Sequence, residues 1–428
     1  MPQNKKMIPS PAQQEAICFG EGTMLVLAGP GSGKTAVITQ RIRYLVEERH
    51  IKPSDILTIT FTKAAALEMK QRACQICRGA ENAVFGTFHS VFFQIIRSSS
   101  KFQNYSIMTE QQKLQILRPL LKGKKLDCVQ MSSFCEQFLS DLSFYKNTGR
   151  EREEKAGQKQ AVQKQAVQKQ AGQNQAEQMQ LHELRQAYEQ CCRKRWLLDF
   201  DDILIYCYRL LTEDSGLRDR WENRFRYILI DEFQDINDVQ YQIIKLLSAN
   251  YENLFVVGDD DQSVYGFRGA KPGIMKEFMK DYPKARQILL DVNYRSSGYI
   301  VKGALRVIGN NKIRFEKKIE AFRKPDETVH VQEVKDPVQE AEYVLERIRE
   351  YREKGVSYTE MAVLYRTNVD ARAMSELMTE YQIPFVMKEH LNNIYEHFIA
   401  LDMISYLRLS QGEYDRKYFL QIANRPNR

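Results

Sequence analysis

Ala28-Gly-Pro-Gly-Ser-Gly-Lys-Thr35 has the residue types and spacing to hold a phosphate chain. Glycines at 29, 31 and 33, with Pro30 and Ser32 between them, let consecutive backbone N–H groups turn inward around an anion. Lys34 adds a point charge for the β- and γ-phosphates, and the Thr35 hydroxyl is a ligand for Mg²⁺. The strict pattern opens on glycine, and Ala28 is small enough to stand in its place. A nucleoside triphosphate, ATP or GTP, is the ligand this loop fits.

Tyr227-Ile-Leu-Ile-Asp-Glu-Phe-Gln-Asp235 supplies the complementary chemistry. An apolar run delivers adjacent carboxylates to its end. Asp231 is placed to hold Mg²⁺, directly or through water, and Glu232 to act as general base on an attacking water. An acidic pair after a strand is common by itself. Together with the glycine loop it argues for hydrolysis and not for binding alone.

The stretch Gly258-Asp-Asp-Asp-Gln-Ser-Val-Tyr-Gly-Phe-Arg-Gly269 joins two chemistries in one loop. Its acidic residues and Gln262 follow the apolar run Leu254–Val257, at the strand end where a parallel sheet puts nucleotide chemistry. Tyr265, Phe267 and Arg268 come next, and aromatics beside arginine are what single-stranded nucleic acid stacks on. The plain alternative is an acidic turn followed by half-buried aromatics.

The elements that must position these residues follow from hydrophobic periodicity. Met24–Leu27, Ile56–Ile59, Tyr227–Ile230 and Leu254–Val257 read as short buried strands, and Ala36–Val46 and Ala64–Cys77 as helices, which is the rhythm of βαβ units. The expected class is α/β. A first core comprises 1–100 and 197–275, interrupted by a helical insertion at 101–196. A second core over 276–428 has strand candidates Gln287–Leu290, Val329–Val334 and Met361–Tyr365. Asp336-Pro337 opens a helix that runs through Glu353 and closes at Gly355. Within the insertion, five alanine- and glutamine-rich pentads span 156–180. A period of five matches neither helical repeat, so the segment buries no core and reads as a solvated helix or a tether. An inert repeat outweighs a nucleic-acid contact through Lys159, Lys164 and Lys169.

Charged residues make up 28 % and hydrophobic residues 43 % of the chain, ordinary values for a globular protein of two or three domains. A net charge of +8 leans towards polyanionic partners. No run approaches the roughly 18 apolar residues of a membrane helix, and Met1–Lys6 has no signal-peptide core. The cytoplasm is the expected location. Among the eight cysteines, Cys74-x-x-Cys77 has no second pair to complete a metal site, and the six histidines lack ligand spacing.

In combination and order, these motifs resemble the UvrD/Rep/PcrA family of superfamily 1 DNA helicases over nearly the whole chain outside the pentads. The resemblance implies two RecA-like P-loop cores, ATP and Mg²⁺ as cofactors, and single-stranded DNA and its junctions with duplex as partners. It implies ATP-driven 3′→5′ movement in DNA repair or replication, with proteins of those processes as further partners. Pro11-Ala-Gln-Gln-Glu-Ala16 is similar to the family's glutamine motif, so Gln13 would read the adenine edge. Thr60–Ala66 and Gly86–Ser90 look like its first single-strand-contacting motifs, which gives DNA contacts to Phe61, Thr62, Lys63, Thr87 and His89. Asp199-Phe-Asp-Asp202 is a further match. Gln262 would sense the γ-phosphate, while Tyr265, Phe267 and Arg268 would stack on or grip DNA. Phe267 stands where the family often has tryptophan. Asn293-Tyr-Arg-Ser296 resembles the motif that opens the second core, with Tyr294 stacking on adenine and Arg295 reaching the γ-phosphate. Arg41 joins the nucleotide-side set; Ala36 stands where many relatives have arginine.

Local alternatives accompany these assignments. Phe88 and His89 also suit a core, and Thr62 and Lys63 suit the cap of the following helix. The chain stops at Gln421–Arg428 before the family's later motifs, so the second core is expected to be incomplete. The alternative to a helicase motor is then a non-unwinding module that binds ATP and single-stranded DNA.

Overall fold

Apolar runs of four or five residues, buried on both sides, form a parallel sheet. The computed structural model describes residues 8–121, 128–148, 167–264, 270–271, 273–312, 314–324, 328–367, 369–387 and 398–423. The strands are β1 (Met24–Ala28), β2 (Ile56–Thr60), β3 (Val84–Thr87), β4 (Ser106–Ile107), β5 (Leu197–Leu198), β6 (Tyr227–Ile230), β7 (Leu254–Gly258), β8 (Arg286–Leu290), β9 (Val292–Ser297) and β10 (Glu320–Arg323). Six of them make one sheet in the order β3-β2-β6-β7-β1-β8, with every neighbouring pair parallel. β4 pairs with β5, and β9 with β10.

The helices that precede or interrupt the second half of the sheet are α1 (Pro11–Ile17), α2 (Lys34–Glu47), α3 (Lys63–Ile76), α4 (Phe88–Arg97), α5 (Glu110–Leu120), α6 (Cys128–Thr148) and α7 (Val167–Lys194). Then follow α8 (Phe200–Glu213), α9 (Ser215–Glu222), α10 (Asp238–Ser248), α11 (Ile274–Asp281) and α12 (Gly298–Ile308). Alternation along the strands sorts the side chains onto two faces. Leu25, Leu27, Ile228, Ile230, Leu254 and Val256 enter a core with α4, α8, α10 and α11. Met24, Val26, Ala28, Leu229, Phe255 and Val257 enter another with α1, α2 and α3. Each buried aliphatic side chain contributes about 1.5–3 kcal/mol, more than the ~1 kcal/mol of a helix cap, so these cores hold the sheet.

Between α4 and α8, helices α5, α6 and α7 enclose a separate core that includes Leu117, Cys135, Phe138, Leu142 and Tyr188. Residues 156–166 of the pentad repeat lie outside the described residues, and 167–180 belong to the backbone of α7. Among the described residues, no helix is long and apolar enough to cross a membrane.

Contacts divide the chain into compact units, 1–329 and 330–428. Residues 286–290, expected to begin a second core, instead extend the first sheet: β8 pairs with β1 from Met24↔Arg286 to Ala28↔Leu290. Burial gives the reason, since Ile288 and Leu290 complete the core of β1 and Phe255. The 330–428 unit contains α13 (Pro337–Glu353), α14 (Ala371–Glu380), α15 (Phe398–Ser410) and α16 (Arg416–Ile422). Asp336 caps α13 by accepting from the Val338 and Gln339 N–H groups, and Gly355 lies past its end at φ 89°. Residues 329–334 and 361–365, expected as strands, have no ladder among the described residues. Val331 and Leu364 are 93 % and 94 % exposed. Strand propensity expresses itself only against a pairing neighbour and a covered face, and these segments have neither.

Candidate nucleotide-binding site

Because the sheet is parallel, the loops after β1, β2, β3, β6 and β7 emerge along one edge. The loop after β1 ends at Gly33, which adopts φ 86° and leaves the start of α2 without a side-chain cap. The first N–H groups of α2 are therefore open to an anionic ligand. Gly31 is needed for close approach: at φ 68°, a Cβ there would lie 2.6 Å from Arg295 Cβ and 2.8 Å from Asn293 Oδ1. Ser32 closes the loop on itself by donating from its hydroxyl to the Gly29 carbonyl at 2.7 Å. Ala28 is the buried last residue of β1, and Thr35 lies in the first turn of α2.

Gln13 is 2 % exposed, and both ends of its amide meet protein. Its Oε1 accepts from the Ser10 N–H at 2.9 Å and its Nε2 donates to the Ser32 carbonyl at 2.8 Å. The glutamine expected at the adenine edge thus bonds the glycine-rich loop through Ser32. Arg41 is also turned inward. Its guanidinium donates to the carbonyls of Phe19 and Gly20, lies 4.6 Å from the Phe255 ring centroid, and is pushed down by burial to about 10. That placement ties α2 to the turn after α1 and does not bring Arg41 to the glycine loop.

The carboxylates after β6 face Lys34. Lys34 Nζ donates to Glu232 Oε2 at 2.9 Å, with side-chain exposures of 13 % and 33 %. Glu232 has a left-handed backbone, φ 53° and ψ 44°, which costs a non-glycine residue of order 1–3 kcal/mol. Asp231 is buried, and its Oδ1 accepts from the Glu232 N–H at 3.1 Å. Burial, reinforced by the Glu232 charge, pushes its carboxyl up to about 6. A divalent cation would offset that cost, and Asp231 with Thr35 offers the hard oxygen ligands Mg²⁺ prefers.

The loop after β7 is bonded to both neighbours. Gln234 Oε1 accepts from the Asp259 N–H at 2.9 Å, and Gln234 Nε2 donates to Glu232 Oε2 at 2.8 Å. Gln262 Nε2 donates to Asp259 Oδ2 at 2.6 Å. Lys317, whose side chain is fully buried, pairs with Asp259, Asp260 and Asp261, and Arg314 grips Asp261 with bonds of 2.8 and 2.7 Å. Spacing along the chain assigns no role to Gln234, Arg314 or Lys317. Lys317 is 58 positions from Asp259, and no local pattern announces such a pair.

β9 comes to the phosphate loop directly. Asn293 Nδ2 donates to the Pro30 carbonyl at 2.7 Å, and the Tyr294 N–H donates to the Gly31 carbonyl at 2.9 Å. Asn293 Oδ1 accepts from the N–H groups of Arg295 and Ser296, which holds the exposed Arg295 beside Gly31. The Tyr294 ring lies 5.2 Å from that of Phe322.

The residues expected on DNA are distributed unevenly. Thr62 caps α3 by accepting from the Ala65 N–H at 3.1 Å, and Lys63 is exposed in its first turn. Phe61 is half-buried after β2. Thr87 and Ser90 form a capping box for α4, with Phe88 in the core. His89 packs edge-on against Phe200 at 5.2 Å and is pushed down by burial to about 4. Tyr265, Phe267 and Arg268 lie outside the described residues.

The family model described as the UvrD/REP helicase N-terminal domain matches residues 10–283, and that of the UvrD-like helicase C-terminal domain matches 288–428. A putative ATP-dependent DNA helicase YjcD from Bacillus subtilis (strain 168) is 37 % identical over 411 residues, covering 94 % of this chain and 52 % of its own length. The ATP-dependent DNA helicase PcrA of Staphylococcus aureus is 33 % identical over 421 residues, covering 97 % and 55 % respectively. This chain therefore spans about half the length of the curated relatives it matches.

Proposed function

Because the chain belongs to the UvrD/Rep helicase family, we propose that it is the nucleotide- and single-strand-binding part of an ATP-driven 3′→5′ DNA helicase. The observation that carries this reading is the Lys34–Glu232 pair at 2.9 Å, held beside the uncapped start of α2. Bound ATP with Mg²⁺ supplies the phosphoanhydride to be cleaved and a metal charge that steadies it. The N–H groups at the start of α2 and Lys34 bind the phosphates. Lys34 then leaves Glu232, which becomes free to accept a proton from water. Asp231 and Thr35 would hold the metal, Gln262 would sense the γ-phosphate, and Tyr294 and Arg295 would serve the nucleotide from β9.

On the DNA side, Phe61, Thr62, Lys63, Thr87, His89, Tyr265, Phe267 and Arg268 form the strand-contacting set. Stacking on the two loop aromatics, each worth about 1–3 kcal/mol per base, gives the movement its grip. The duplex junction, action in repair or replication with partner proteins, and a cytoplasmic location belong to the same proposal, as do a first core at 1–100 and 197–275 that α11 and β8 extend, an insertion at 101–196 and a second core in the remainder of the chain.

The test is ATP turnover with and without single-stranded DNA, together with strand displacement on a 3′-tailed duplex. DNA-stimulated turnover that Glu232→Gln removes supports the assignment. Nucleotide and DNA binding without turnover confines the chain to a binding module, and absence of both sinks the reading.

A further inference from the structure

Gln234 was assigned no role above, yet it touches the general base and the coupling loop at once. It is 3 % exposed and sits in the short turn between β6 and α10. Its amide is used in both directions: Nε2 donates to Glu232 Oε2 at 2.8 Å, and Oε1 accepts from the Asp259 N–H at 2.9 Å. The approach is close: a Cβ at Gly258 would lie 2.6 Å from Gln234 Oε1 and 3.2 Å from the Gln234 backbone N. Ser263 Oγ also donates to the Gln234 carbonyl, at 3.3 Å. The loop is thus bonded to this residue at two points, Asp259 and Ser263.

The two ends of this link differ in firmness. At the loop end, Asp259 is held by Gln262 and by Lys317, and Lys317 is itself buried among three carboxylates. At the other end, Glu232 Oε2 receives two donors, Lys34 and Gln234. If Lys34 turns to a phosphate, Glu232 keeps only the Gln234 donor among these two. The carboxylate then pulls on an amide whose other end holds the Asp259 peptide. Two donors share one Glu232 oxygen, so loss of the Lys34 donor strengthens the bond from Gln234.

We propose that Gln234 is a positioning residue that transmits the state of Glu232 to the loop after β7, and so couples nucleotide binding to single-stranded DNA binding. This rests on the functional reading above. A merely structural glutamine would change stability or both binding affinities together. A relay changes the influence of one ligand on the other, a quantity that is reciprocal and separately measurable.

The experiment measures the Kd of the full chain for a fluorescent oligothymidylate with and without a saturating non-hydrolysable ATP analogue and Mg²⁺. The ratio of the two values is compared in wild type, Gln234→Ala and Gln234→Glu. The alanine removes all three bonds of the amide, including the Nε2 donor to Asp235 Oδ2 at 3.3 Å. The glutamate keeps the acceptor for Asp259 and loses the donors to Glu232 and Asp235. Wild type is expected to show a ratio of about fivefold or more, and both variants to fall to within about twofold of one. Each ligand's affinity measured alone should stay within about threefold of wild type, the range of about 0.7 kcal/mol. A ratio of one in wild type, or an unchanged ratio in either variant, overturns the relay. Loss of folding in both variants, read by thermal melting, assigns Gln234 to the scaffold and overturns it too. A wild-type chain that binds no nucleotide or no DNA overturns the functional reading, and the relay with it.

Discussion

Two of the lysine–carboxylate contacts in the first unit have opposite consequences. Lys34 and Glu232 form a single bond at 2.9 Å in a partly open site, with Glu232 33 % exposed. Lys146, from α6, is 5 % exposed and bonds Asp199 at 2.7 Å and Asp202 at 2.6 Å, at the start of α8. Those aspartates also form the capping box of α8. Burial opposes the Lys146 charge, but Asp199 and Asp202 outweigh it and hold the ammonium above its ordinary range. One ammonium cannot compensate two buried carboxylates equally. Asp199 is held below its ordinary value despite burial, while burial and the Asp199 charge push Asp202 up to about 6. The same residue types thus make a pair that a phosphate can break and a brace that ties the helical insertion to the core.

The largest test of this contrast is Glu232→Gln. Turnover should fall by about 10²–10⁴-fold, the usual worth of a general base. Urea unfolding should move by less than about 1 kcal/mol, as for a partly exposed pair. A variant that hydrolyses ATP as fast as wild type removes Glu232 from the role of base. Lys146→Met should do the reverse, because it leaves two carboxylates buried without their cation. A loss of about 3–5 kcal/mol in urea unfolding is expected, with little change in nucleotide affinity. A loss under about 1 kcal/mol would reduce the brace to an ordinary surface pair.

His89 gives a pH-dependent measure of the same junction, since its ring packs on Phe200 of α8. Burial lowers its folded pKa from 6.5 to about 4, so between those values the unfolded chain binds more protons. Stability is therefore fully present above pH 6.5 and is lost as the pH falls towards 4, by at most about 3 kcal/mol. His89→Gln should flatten that part of the melting-temperature profile, and an unchanged profile would assign the loss to other groups. The smallest effect belongs to Thr87→Ala, which removes the capping box of α4. A loss of about 1 kcal/mol is expected in urea unfolding, and no loss would mean that the α4 core alone sets its start.

Legibility followed the range of the physical cause. The strands β1, β2, β6 and β7 and the helices α2 and α3 appear in the sequence because burial repeats over short periods. The pairing of Lys34 with Glu232 was prefigured because both motifs follow apolar strands of one parallel sheet, whose ends lie along one edge. β8 was misplaced because an apolar run names no neighbour, and only the core around Phe255 assigns it to the first sheet. Val329–Val334 and Met361–Tyr365 failed for the same reason: their composition suits a strand, but a ladder needs a partner.

From sequence alone, the chain's family was determined and its glycine-rich loop and acidic pair were singled out, because each motif depends on residues within a few positions of one another. Only the tertiary structure decided that Gln13 braces the loop, that Arg41 turns inward, and that Gln234 and Lys317 tie the loop after β7 to its surroundings. Those outcomes depend on which polar groups become buried together across the fold. A buried donor or acceptor must be satisfied by whatever the packing brings near it, and spacing along the chain does not contain that information.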